Sequence, residues 1–158
     1  MLLEIARDSL LDGFQKTTPL TEKKSTLQIL SHVLFDVEES GQVVMTATDL
    51  EAGLQIMYDC TVTEPGRVAV PSRKALEIVR ELPSGAVRIE LLETGRLGIT
   101  SGQSSFELAI MDPSDYPAWS SFEGVEKVSV SAEKLVFMID KAIFALQLTS
   151  HGSISTGS

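Results

Sequence analysis

At 158 residues, 43% of them hydrophobic, the chain has enough apolar material for one compact domain and some excess. A net charge of -9 argues against tight, nonspecific binding to nucleic acid but leaves room for a local basic patch. One cysteine excludes an internal disulfide, and apolar runs such as Leu135 to Ile139 are broken by charge well before the ~18 residues of a membrane span.

An apolar strand running directly into a basic, amphipathic helix occurs three times, at a spacing of roughly 60 residues. In the first unit Leu3 to Ala6 leads into a helix over Arg7 to Thr17, followed by a polar loop, Thr17 to Lys24, that contains Pro19. Strands are predicted at Leu27 to Val37, Val43 to Thr48 and Leu54 to Val62, the last with Leu54, Ile56, Tyr58, Cys60 and Val62 on one buried face. Glu39-Ser40-Gly41 and the stretch Asp49 to Gly53 supply the turns, and Glu64-Pro65-Gly66 closes the unit.

The second unit repeats this order. Arg67 to Val70 leads into a helix over Pro71 to Leu82, with Pro71 in the first turn, and Pro83-Ser84-Gly85 stops it. Three strands follow at Val87 to Leu92, Leu97 to Ser101 and Ser105 to Met111. The reading is an α+β domain over 1–111. It is built from two pseudo-symmetric β-α-β-β-β units, 1–62 and 66–111, with their helices on one face of antiparallel sheets. Residues 112–124, with Pro113, Pro117 and Trp119, read as a linker that Trp119 pins to the domain. A third strand and helix, Lys127 to Val130 and Ser131 to Leu146 with Ser131 as N-cap, open a second domain over 125–145, and 146–158 loses the apolar pattern.

Catalytic chemistry finds little support. One cysteine and two widely separated histidines give no zinc spacing, so no metal or cofactor is expected. His32 lies in an apolar run and reads as structural, while His151 falls in the atypical tail. Asp49 and Glu51 form a carboxylate pair at a turn, but no nucleophile or base accompanies them in sequence. Among the basic residues, Arg7, Lys16, Lys23, Lys24, Arg73, Lys74, Arg80, Lys134 and Lys141 fall on the three helices or the loop after the first. Asp8, Asp12, Glu77 and Glu81 share those helices, so a solvated face of mixed charge suits the residues equally well.

Lys24 to Leu30, Thr48-Asp49-Leu50-Glu51, Val70 to Lys74 with Leu82-Pro83, Ser101 to Phe106 and Asp115-Tyr116-Pro117, in that order, resemble landmarks of the bacterial DNA sliding clamp, the beta subunit of the replicative polymerase. The resemblance runs from Met1 to about Ala145 and implies a head-to-tail homodimeric ring, with helices lining the hole and sheets forming an acidic rim. It also implies a non-catalytic replication processivity factor of the bacterial cytoplasm, whose partners are duplex DNA, the polymerase and the clamp loader. Carried over by position, Lys24 and Arg73 are the DNA contacts, with Arg7, Lys16 and Arg80 on the same surface. Lys74, Ile78, Leu82, Phe106 and Leu108 match positions that pack against a partner subunit, with ordinary core packing as their other reading. Gln28, Gln103, Ser105 and Glu107 depart from the family's usual residues.

A complete clamp subunit is more than twice as long, so the resemblance implies a truncated chain that neither closes a ring nor carries the partner pocket. Read two bases later with allowed codons, the tail gives STDESRFNINGV, similar to the clamp sequence after such a helix, which implies a frameshift; a flexible appended tail is the other reading. Two further functions stay open: an interaction domain that self-associates through the Phe106 edge without DNA, and, more remotely, a hydrolase using Asp49 and Glu51 in an open cleft.

Overall fold

The computed structural model describes residues 1–22, 24–118, 126 and 128–155, the last five as helix backbone alone. Contacts divide the chain into two units, Met1–Ala118 and Trp119–Ser158. In chain order the first unit comprises β1 (Leu2–Ala6), α1 (Arg7–Thr21), a 3-10 turn (Gln28–Ser31), β2 (His32–Glu38), β3 (Gln42–Thr48), β4 (Gly53–Asp59) and β5 (Thr61–Glu64). It continues with β6 (Gly66–Pro71), α2 (Ser72–Glu81), β7 (Ala86–Leu91), β8 (Arg96–Ser101), β9 (Ser104–Ala109) and a second 3-10 turn (Pro113–Asp115).

These strands form two antiparallel sheets, ordered β5-β1-β7-β8-β9 and β4-β3-β2-β6. β1 pairs with β7, Leu3 opposite Ile89, and β6 pairs with β2, Val70 opposite Val33. Each half thus lends its first strand to the other half's sheet. Neither repeat closes a sheet alone, so the two units read from the sequence form one interlocked body.

The core lies between the sheets and the two helices. Leu10 and Phe14 of α1 are fully buried, and Phe14 stacks on Phe35 of β2 with ring centroids 5.5 Å apart. α1 comes so close to β3 that a side chain at Gly13 would collide with the Met45 thioether. A smaller cluster of Ile29, Leu30, Leu34, Ala69 and Tyr116 covers the opposite face of β2. This explains why residues 32–35 are buried without alternation.

The elements of the first unit depart from the sequence reading in four places. α1 continues through Pro19 to Thr21, because the missing proline amide deprives only the Gln15 carbonyl near the helix end. There Thr17 and Thr21 turn their hydroxyls back onto the Gly13 and Thr18 carbonyls, at 2.8 and 2.7 Å. The apolar start Gln28–Ser31 is a 3-10 turn rather than strand. The run Leu54 to Val62 keeps its alternation but divides at Cys60 between two sheets. Tyr116, 7% exposed, donates to the His32 and Thr46 carbonyls at 3.2 and 3.1 Å, so residues 112–118 belong to the compact unit rather than to a linker. Trp119 lies outside the described residues.

In the second unit Ser131 accepts the Lys134 amide at 3.3 Å, and α3 (Ala132–Ser155) follows, extending past the predicted end at Leu146. Val128 to Val130 is not a strand, contrary to the expected second-domain strand, since strand geometry is stabilised by a paired neighbour and none is present among the described residues. Every described side chain from Ser131 to Ser150 is exposed. No described helix is long and apolar enough to cross a membrane.

Candidate nucleic-acid interface

α1 and α2 lie side by side and run antiparallel, because their opposite ends are tied together. At one end the Thr18 and Ser72 hydroxyls share a buried hydrogen bond of 2.7 Å. At the other, Arg7 donates from Nε to the Val79 carbonyl at 3.2 Å and from a terminal nitrogen to the Arg80 carbonyl at 3.0 Å. Those carbonyls belong to the last turn of α2, where orphan acceptors and the negative end of the helix dipole favour a cation. Ser72 is the first residue of α2, so the start of that helix, with Arg73 beside it, is fixed against the end of α1.

The chain leaves α1 at Glu22 and returns through Lys24 to Gln28, with the Ser25 hydroxyl accepting the Leu27 amide at 3.1 Å. This loop lies over the start of α2. Lys24 and Arg73, 49 residues apart in sequence, line one open hollow of about 690 Å³ together with Thr21, Ser25, Gln28 and Ser31. The Arg73 side chain is 80% exposed, and its one ion pair among the described residues is a long one of 3.9 Å to Glu77. Lys24 is exposed and has no ion pair among the described residues. Glu22 also lines the hollow, so two cations stand against one carboxylate there, beside hydroxyls and an amide that can donate to phosphate oxygens.

The remaining cations expected on this surface differ in state. Arg80 is exposed on α2, while Lys16 is bound at 2.8 Å by Asp12 one turn earlier on α1. Arg7, its side chain 19% exposed, is held by two carbonyls and by Asp8 at 3.3 Å, so it braces the helices instead of presenting its charge. α1 is therefore balanced in charge, Arg7 and Lys16 against Asp8 and Asp12; α2 carries Arg73, Lys74 and Arg80 against Glu77 and Glu81. The mixed-charge reading holds for α1, and the basic character is local to Lys24 and the start of α2.

The residues expected at a subunit contact separate in the same way. Phe106 is 37% exposed on β9, the terminal strand of its sheet; Lys74 is exposed and Ile78 half-buried on α2, which packs against β9. Leu82 and Leu108 are 3% and 6% exposed and belong to the chain's own core. Leu108 faces inward opposite Leu97 on β8, and Leu82 follows the end of α2 into the same core.

The carboxylate pair at the β3–β4 turn is built into the hairpin. The Asp49 carboxylate accepts the Glu51 and Ala52 amides at 2.9 and 2.7 Å, and Thr48 accepts the Leu50 amide at 3.0 Å. Leu50 takes a left-handed φ of 74° there. The hollow beside this turn measures about 200 Å³ and includes Lys24 in its wall, unlike the open cleft a hydrolase would need. His32 is buried and bonds through Nδ1 to Ser31 at 3.0 Å; burial pulls its pKa below the ordinary value, partly opposed by the Gln28 carbonyl. Among the described residues no group of three or more His, Cys, Asp or Glu is arranged to hold a metal ion.

Residues 1–120 match the family described as DNA polymerase III beta subunit, N-terminal domain. The chain belongs to this family. The beta sliding clamp of Vibrio cholerae is 36% identical over 149 residues, which are 92% of this chain and 40% of that protein. A beta sliding clamp sequence from Vibrio harveyi is 33% identical over 148 residues, covering 92% of this chain and 100% of that sequence. Among solved structures, Caulobacter crescentus pol III beta superposes with a TM-score of 0.82 at 31% identity, over 89% of this chain and 38% of that one. The DNA polymerase III subunit beta of Pseudomonas aeruginosa gives 0.81 at 32% identity, over the same shares. The chain thus spans about two fifths of the length of the first relatives it matches.

For a clamp domain, the sequence left the brace between the helices unseen. Resemblance to the family places Arg7 on the DNA surface, and nothing local in the sequence shows that the end of α2 lies beside it. The Thr18–Ser72 bond was equally hidden, since it joins a helix end to a helix start 54 residues away.

Proposed function

We propose that this chain is the first domain, with the beginning of a second, of a bacterial processivity clamp. In full-length form such a clamp encircles duplex DNA and tethers the polymerase without catalysing a reaction. The observation that carries the reading is the meeting of Lys24 and Arg73 in one exposed hollow between the end of α1 and the start of α2. Attraction from so few cations, on a chain of charge -9, is weak and blind to sequence, which suits a ring retained by topology and moving along the duplex. Lys74, Ile78 and Phe106 are the residues through which β9 and α2 meet a partner subunit in the ring dimer. The polymerase and clamp loader are partners of the full-length protein, in the bacterial cytoplasm at the nucleoid.

Replacing Lys24 and Arg73 together by Glu tests the DNA surface. In a duplex titration at low salt the double variant should bind about tenfold more weakly or worse, with a log-log salt slope flatter by about 2. Unchanged affinity and slope would favour the rival, a domain that self-associates through the Phe106 edge and never meets DNA.

A further inference from the structure

We infer that Asp12 is a built-in counter-ion that withholds Lys16 from the DNA backbone, and that Tyr58 fixes it in that role. This inference rests on the DNA-tracking function proposed above and assigns part of its regulation to these residues. The Asp12 Oδ2 atom accepts two hydrogen bonds, one from the Tyr58 hydroxyl at 2.5 Å and one from the Lys16 ammonium at 2.8 Å. Tyr58 comes from β4, 46 residues away, so the carboxylate is positioned by the sheet and not only by its own helix. An ordinary exposed i, i+4 pair would exchange freely with water and salt, because two mobile side chains must find each other. Here one partner is already fixed by a half-buried ring, and the ammonium alone has to move.

The surface position makes this consequential. Lys16 is 57% exposed on α1, the helix whose end carries the chain into the Lys24 loop. A released ammonium at that position would add a phosphate contact to those of Lys24 and Arg73. Each such contact tightens binding and steepens its salt dependence, which slows a protein that must slide. Both hydrogen bonds lower the Asp12 pKa, Lys16 contributing first and Tyr58 second, so the counter-ion stays charged near neutrality. The Tyr58 hydroxyl is in turn pushed above its ordinary pKa by burial and by Asp12, and remains a donor.

A double-mutant cycle on the whole 158-residue chain tests the inference, with duplex binding followed by NMR shift titration at low ionic strength. Asp12→Asn keeps a carbonyl for Tyr58 and removes the charge. It should tighten binding about two- to fivefold, the range an exposed ion pair is worth, and steepen the log-log salt slope by about 0.9. In the Lys16→Ala background the same substitution should give no such gain. Glu39→Gln, an equal charge change on the β2–β3 turn, should also leave affinity within about 1.5-fold. A gain that persists without Lys16, or that Glu39→Gln reproduces, overturns the inference and leaves the DNA surface standing. A Lys24→Glu, Arg73→Glu chain that binds as the parent does overturns the DNA reading and this inference with it. A Tyr58→Phe chain in which the Asp12 carboxyl titrates no higher than in the parent overturns the positioning role of Tyr58.

Discussion

Each of the two units of this chain contains an apolar stretch running into a helix, with opposite outcomes. α1 and α3 both follow an apolar stretch, and both carry apolar residues at helical spacing. Leu10 and Phe14 of α1 are 0% and 1% exposed, whereas Phe137 and Phe144 of α3 are 63% and 59% exposed. The difference lies in what surrounds each helix. α1 has α2 beside it and strands from both sheets beneath it, and β1 is hydrogen-bonded between β5 and β7. Among the described residues Val128 to Val130 pairs with no strand, and the described side chains of α3 from Ala132 to Ser150 are all exposed. An amphipathic pattern states what a helix requires; burial depends on a partner supplied by the rest of the fold.

The sharpest way to break this contrast is to remove one aromatic ring from each unit. Phe35→Ala should destabilise the first unit by about 3–5 kcal/mol, whereas Phe137→Ala should change its unfolding by no more than about 0.5 kcal/mol. Urea denaturation followed by circular dichroism measures both, and equal effects would contradict the contrast. Thr18→Val removes one partner of the buried bond joining α1 to α2 and leaves the Ser72 hydroxyl unsatisfied. It should cost about 1–2 kcal/mol in the same measurement.

Acid should also act on the first unit alone. Burial holds the folded pKa of His32 below its unfolded value near 6.5, so the unfolded chain binds the proton more readily. The stabilisation is therefore complete above that value and is lost as pH falls from it towards the lower folded pKa. Melting temperatures recorded across this window should fall in the parent chain and fall less in His32→Gln. Smallest of all, deleting residues 128–158 should leave the melting temperature of the first unit within about 2 °C.

Much of the first unit was legible because alternation and helical spacing report which side chains face inward. The helix positions and most of the strand positions follow from that. The partner of each strand does not. The exchange of β1 and β6 between the sheets is set by long-range pairing, and Leu54 to Val62 keeps one period while crossing from one sheet to the other at Cys60. Leu82 and Leu108 show the same limit: that both side chains enter the core is set by the strands and helix brought around them, which no local pattern reports. Lys24 and Arg73 came from resemblance to the family, and only the folded chain joins them through the brace of Arg7 and the Thr18–Ser72 bond.

The most direct test of the account is to titrate the isotopically labelled chain with a short random-sequence duplex at low ionic strength and map the amide shifts. The account predicts that they centre on the loop around Lys24 and the first turn of α2, with weaker changes along the exposed side of α1, and that they fade as salt is raised. Shifts confined to the outer faces of the sheets, or a spectrum that duplex leaves unchanged, would contradict it.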